Sequence, residues 1–174
     1  MTNQSTLIID DFSRTSGLSE LGTQWRGFTD RVMGGVSTAV SGIETVGGRR
    51  ALRLVGEVSL ENNGGFVQVA LPLSADGSPL NARAYAGIRL TVRGNEETYH
   101  VHIRTTSTLL PWQYYQAEFA AGPAWTTVEL PFDLFAAEAL EAGLDSSKLT
   151  RIAVVASKKP FRADIAVSKI EIYR

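Results

Sequence analysis

Apolar positions in this chain recur every second residue over most of its length. In "ALRLVGEVSL", Leu52, Leu54, Val58 and Leu60 share one face, while Arg53, Glu57 and Ser59 take the other. "VQVAL" sets Val67, Val69 and Leu71 together, and "GIRLTVRG" sets Ile88, Leu90 and Val92 against Arg89, Thr91 and Arg93. "TYHVHIRT" opposes Val101 and Ile103 to His100, His102 and Arg104; "YYQAEF" opposes Tyr115, Ala117 and Phe119 to Tyr114, Gln116 and Glu118. "WTTVELPF" alternates Thr126, Val128, Leu130 and Phe132 with Trp125, Thr127 and Glu129, and "RIAVVAS" and "DIAVSKIEIYR" read as two further strands. A period of two is the mark of a strand with one buried face.

One stretch departs from that period. Asp133 is placed to cap a short helix over "LFAAEALEA", with Gly143 as its left-handed stop. Many short strands, turns rich in Gly and Pro, and one short helix predict an all-β domain spanning residues 1–174, a two-sheet jelly-roll β-sandwich.

The 174 residues, 44% hydrophobic, suit a single domain with a real core. Seventeen basic and eighteen acidic residues leave a net charge of −1, so neither a nucleic-acid footprint nor a membrane-surface patch is expected. The chain has no cysteine, which removes disulfides, thiol nucleophiles and thiolate metal sites and fits a reducing compartment. The start, "MTNQSTLIIDDF", reads as neither a secretory signal nor a mitochondrial transit peptide. No segment approaches the roughly 20 apolar residues of a membrane span. The expected location is cytoplasmic, with no membrane insertion.

Two clusters carry candidate chemistry. If the two strands concerned pair as a hairpin, His100, His102 and Arg104 face Tyr114, Gln116 and Glu118, with Trp112 at the rim. Two imidazoles two residues apart on a strand can reach one metal, with Glu118 as the remaining ligand; the alternative is a solvated face in which Arg104 pairs with Glu118. Two spaced ligands are a weak signal, so no metal and no cofactor are expected. The same polar and aromatic face suits a carbohydrate. The Asp10-Asp11 pair is a further, weaker candidate for calcium.

The second cluster joins "DRVMGGVS" to "SLENNGGF". Gly34-Gly35 permits close backbone approach, and Asp30 and Arg31 stand beside it. One reading is a structural clasp in which Arg31 pairs with Glu61; the other is a ligand loop contacted through Asn62 or Asn63. Asn63-Gly64 signals a tight hairpin turn, after which Gly65 returns the chain to the sheet. No nucleophile elbow, phosphate-binding loop or dinucleotide fingerprint is present, so no catalytic residue is expected; a carboxylate pair built from distant residues would leave no local pattern.

Three segments appear in a recognisable order: "WRGFTDRVMGGVS", "SLENNGGFVQV", and "VRGNEETYHVHIRT" running into "YYQAEFAAGPAWTTVELPFDLF". Together they resemble the complex I intermediate-associated protein 30 family, known for an assembly factor of NADH:ubiquinone oxidoreductase. The likeness runs from Ile9 to Ile172. It departs at Gly94-Asn95-Glu96-Glu97, where the family often shows Gly-Asp-Gly. The resemblance implies a galactose-binding-domain-like sandwich, a non-catalytic role, and a protein partner engaged in a chaperone-like way. The alternative it leaves is a carbohydrate-binding module using the His100–Glu118 face.

Overall fold

The alternating segments all form strands in the computed structural model, which describes residues 6–174. The first five residues, on which the reading of the N-terminus partly rests, lie outside the described residues. The strands are β1 (Thr6–Asp10), β2 (Arg26–Thr29), β3 (Thr38–Val46), β4 (Arg49–Val58), β5 (Phe66–Pro72) and β6 (Gly87–Gly94). They continue with β7 (Glu97–Thr105), β8 (Tyr114–Ala121), β9 (Thr126–Pro131), β10 (Ala136–Glu138), β11 (Leu149–Ser157) and β12 (Phe161–Tyr173). The first sheet has the order β3-β4-β12-β6-β9, with β1 also on β12; the second has the order β10-β8-β7-β11-β5-β2. Every pairing is antiparallel.

The inward faces meet in one core. Leu52, Leu54, Ile88, Leu90, Val92, Ile165 and Val167 from the first sheet pack against Val67, Val69, Leu71, Val101, Ile103, Tyr115 and Ile152 from the second. Buried Tyr99, on β7, crosses between them: its hydroxyl donates to Asn95 Oδ1 and accepts the Asp164 N–H of β12. Asn95 also donates to the Arg162 carbonyl, so the residue that departs from the family pattern is a working cross-link.

Three expectations are corrected. No α-helix forms at 133–143. Phe132–Leu134 is a single 3₁₀ turn, and Ala136–Glu138 pairs as β10 with Tyr114–Gln116. A helix this short is marginal on propensity alone. Phe135 is its buried anchor, whereas residues 136–139 are exposed, so a helix would have little apolar stripe to bury. Strand pairing instead satisfies the backbone edge of β8. Leu60, expected on the buried face, lies beyond the end of β4 and is exposed. Asn63-Gly64 does not close a hairpin either. The positive φ angles fall at Asn62, Asn63 and Gly65, 56°, 59° and 141°, and not at Gly64. The turn carries the chain from β4 in one sheet to β5 in the other.

The clasp exists, but its centre is Asp30 and not a Glu61–Arg31 ion pair, which does not form. The segment after β2 and the segment after β4 are both crossovers between the two sheets. Fully buried Asp30 joins them, accepting the Ser37 N–H at 3.0 Å and the Ser37 hydroxyl from one crossover. From the other it accepts the N–H groups of Gly65 at 2.6 Å and Phe66 at 3.2 Å. Gly35 and Gly64 are needed because a methyl group would sit 2.5 Å and 2.6 Å from the Asp30 carboxyl group. Arg31 donates from Nε to the Ser37 carbonyl, and Glu61 is exposed.

Burial opposes ionisation of Asp30, yet the bonds from Ser37, Gly65 and Phe66 outweigh it and hold the carboxyl below its ordinary value. Its stabilisation is therefore present above the unfolded-state value and is lost as pH falls through the folded one. Asp30→Ala strands several buried donors and should lower stability by roughly 4 kcal/mol, Asp30→Asn by roughly 2 kcal/mol. Glu61→Ala should stay within about 0.5 kcal/mol of the parent. Urea denaturation at neutral pH measures all three, and a Glu61→Ala loss equal to that of Asp30→Ala would return the clasp to the ion pair.

Candidate functional site

Strands β7 and β8 form the expected hairpin, with His100 opposite Glu118 and His102 opposite Gln116. The outer face of the second sheet therefore gathers His100, His102, Arg104, Tyr114, Gln116 and Glu118. His102 stacks on Tyr114, ring centroids 4.0 Å apart and 11° from parallel. His100 is buried, with Nε2 3.8 Å from the exposed Glu118 carboxylate. Arg104 does not pair with Glu118. It turns to the β7–β8 loop, where it donates to the carbonyls of Thr108 and Leu110. Among the described residues, no group of three or more His, Cys, Asp or Glu side chains is arranged to hold a metal.

The face extends further than the sequence reading placed it. Across β11, β5 and β2 it continues through Arg151, Ala153, Val155, Gln68, Ala70 and Phe28. Ala70, Ala153 and Val155 are only 1–3% exposed although they point away from the main core. Phe28 and Phe66, packed edge to face at 6.1 Å, help close over them as a second small apolar cluster. The signal was present in "RIAVVAS": apolar residues at consecutive positions, not alternate ones, mark a strand covered on both faces. Arg151 lies over the Phe28 ring at 4.9 Å.

Burial shapes the electrostatics. It pushes His102 down to about 3, helped by the positive charge that His100 and Lys158 would add, so His102 is a neutral imidazole at physiological pH. His100 is also lowered, by burial first and then by Lys158, with Glu118 opposing. Among the described residues, His100 Nδ1, His102 Nε2 and Gln116 Oε1 are buried without a hydrogen-bond partner.

Exposed apolar side chains stand at both ends of this sheet. At the Arg104 end, the β7–β8 loop presents Leu109, Leu110 and Trp112, which are 82%, 42% and 60% exposed. At the other end, the clasp loops present Val32, Met33, Val36 and Leu60, with Asn62 and Asn63 also open to solvent. The Asp10-Asp11 pair is divided between tasks. Asp10 accepts the Phe12 N–H and the Trp25 indole, and Asp11 caps Ser13. Two cavities lie away from this face, on the outer side of the first sheet. One of about 410 Å³ is lined by Asp11, Arg49, Arg50 and Lys169 among others, and one of about 100 Å³ by Arg53, Arg93 and Asp164 among others.

The sandwich is similar to a family 11 carbohydrate-binding module from Clostridium thermocellum in complex with a β-1,3-1,4-mixed-linked tetrasaccharide. The two share 13% identity over 97% of this chain and 95% of that one, with a TM-score of 0.72. It is also similar to a family 30 carbohydrate-binding module, at 15% identity and a TM-score of 0.60 over 80% and 81% of the two chains. An agarase shares the fold over 24% of its own length, which corresponds to 98% of this chain, at 11% identity and a TM-score of 0.65. These likenesses establish an all-β sandwich of the jelly-roll, galactose-binding-like kind, and nothing about ligands. No curated protein matches the sequence at the same stringency. The complex I intermediate-associated protein 30 pattern matches residues 11–165, from the end of β1 into β12, and the chain belongs to that family.

Proposed function

We propose that this protein is a single, non-catalytic, cytoplasmic binding domain. It engages a polypeptide partner in a chaperone-like role, as an assembly factor for respiratory complex I would. The observation that carries this reading is the juxtaposition of exposed Leu109, Leu110 and Trp112 with Arg104, at one end of the second sheet's outer face. Trp and Arg flanked by apolar neighbours are the composition of an interface centre, where burial against a partner releases most of the binding energy. A face on which Ala70, Ala153 and Val155 are already covered suits a second protein surface better than an enclosed small ligand.

A second reading, a carbohydrate-binding module, is favoured by the stacked His102–Tyr114 pair and the unsatisfied polar atoms beside it. Flat rings and polar side chains of that kind match the faces and hydroxyls of sugars.

Capture of complex I subunits from solubilised membranes tests the leading reading. Trp112→Ala combined with Leu109→Ser should reduce capture at least tenfold while leaving the melting temperature within a degree or two. Binding of a defined glycan together with no retained polypeptide would overturn it in favour of the module. Acidity supplies a separate check of the face itself. His102 is protonated in the unfolded chain near pH 6.5 but resists protonation when folded, so stability falls as pH drops below about 6.5. His102→Gln should flatten that slope in melting curves between pH 6.5 and 4; an unaltered slope would show that the imidazole is not sequestered.

A further inference from the structure

Arg104 on β7 and Arg151 on β11 are direct register neighbours on the outer face of the second sheet. Like charges placed opposite each other across strands are destabilising, so native sheets ordinarily interpose a carboxylate. The first sheet shows the usual arrangement: Arg53 binds Asp164 and Glu44, and Arg89 binds Glu129 and Glu171. No such partner reaches Arg104 or Arg151 among the described residues. Both are partly buried, and burial lowers the proton affinity of each; Arg104 adds its repulsion at Arg151.

The donors of the pair are only partly committed. Arg104 uses Nε and one terminal nitrogen on the β7–β8 loop, which leaves its other terminal nitrogen free. Arg151 holds its guanidinium carbon 4.9 Å from the Phe28 ring centre, and among the described residues its N–H groups make no side-chain hydrogen bond or ion pair. Next along the sheet lie Gln116 Oε1 and His102 Nε2, buried and unpartnered. They are cross-strand neighbours closed off from solvent, so they offer a ligand no open acceptor. The ligand that completes this surface therefore has to bring a planar anion for the two arginines.

We propose that the Arg104–Arg151 pair is a carboxylate-recognition site for an acidic peptide segment, a Glu or Asp side chain seating between the guanidinium groups. This proposal rests on the protein-partner reading and names the chemistry of that partner. Carboxylates accept the paired N–H donors of arginine in a bidentate fork, which lysine could not reproduce. Leu109, Leu110 and Trp112, beside Arg104, would hold apolar residues flanking the acid. The arrangement also accounts for two like charges left facing each other. They are an unfavourable contact in the free protein and a favourable one in the complex, as binding sites commonly are.

The test uses a blocked pentapeptide, acetyl-Gly-Glu-Leu-Glu-Gly-amide, and its Gln counterpart, titrated into the whole protein and followed by the arginine Nε–H NMR signals. The Glu peptide should shift the Arg104 and Arg151 signals and bind at least tenfold tighter than the Gln peptide. Arg151→Gln should weaken it at least tenfold while melting no lower than the parent, since a repulsive neighbour has been removed. Equal binding of the two peptides, or undiminished binding to Arg151→Gln, overturns the proposal. Glucuronate binding more tightly than the Glu peptide overturns the peptide assignment, because the carboxylate would then belong to a sugar. The broader reading fails separately. If complex I subunits are not captured but the Glu peptide binds at the pair, the acid site stands without it; if capture persists in Arg151→Gln, the site falls and the partner reading stands.

Discussion

Everything on the outer face of the second sheet depends on how the two sheets are held against each other. The chain has no cysteine, and the crossovers after β2 and β4 turn Val32, Met33, Val36 and Leu60 outward to solvent and not into the core. One buried carboxylate, Asp30, supplies the missing constraint by accepting donors from both. It fixes where β5 enters the second sheet, and β5 in turn carries Phe66, Gln68 and Ala70 to the outer face. Tyr99 makes the complementary tie through the interior, from β7 to β12. Between them, a carboxylate near one edge and a phenol in the middle pin the layers at separate points.

Strands were legible in the sequence wherever burial was one-sided. Period two located β4 to β9 because each has an inward and an outward row, whereas β11 reads as a strand from its run of consecutive apolar residues, covered on both faces. β1, β2 and β3 went unassigned: β2 is only four residues long, and β3 is an edge strand whose alternation mixes exposed Val40 with half-buried Ser41. "FAAEALEA" misled because intrinsic helix preference was its only visible property, whereas the open backbone of β8 decided its fate. The hairpin of β7 and β8 was readable down to the opposition of His100 with Glu118. The role of Asp30 was not. Its partners lie up to 36 residues away and are mostly backbone N–H groups, which carry no sequence identity at all. Arg151 escaped notice for the same reason. Only the pairing of β11 with β7 brings it beside Arg104.

The two outer faces of the sandwich embody different electrostatic solutions. The first sheet carries Arg53 and Arg89, each bound by carboxylates on adjacent strands. The second carries unmatched arginines, neutral buried imidazoles and an exposed tryptophan loop. A protein selected for stability alone has no use for that second arrangement. The contrast lies within one molecule, between two sheets of one fold, and not in the identity of any single residue.

The pairing of β1 with the far end of β12 places Thr6 directly across from Tyr173. The module therefore enters and leaves at one point, like a plug whose two wires emerge from the same side. A unit built this way can be spliced into a loop of another protein without stretching either host or guest, since the host sees only a short gap between neighbouring strands. The outer face of the second sheet, in the opposite layer, would stay clear of the junction. Portability is thus a property of the first sheet, which leaves the second sheet's face untouched.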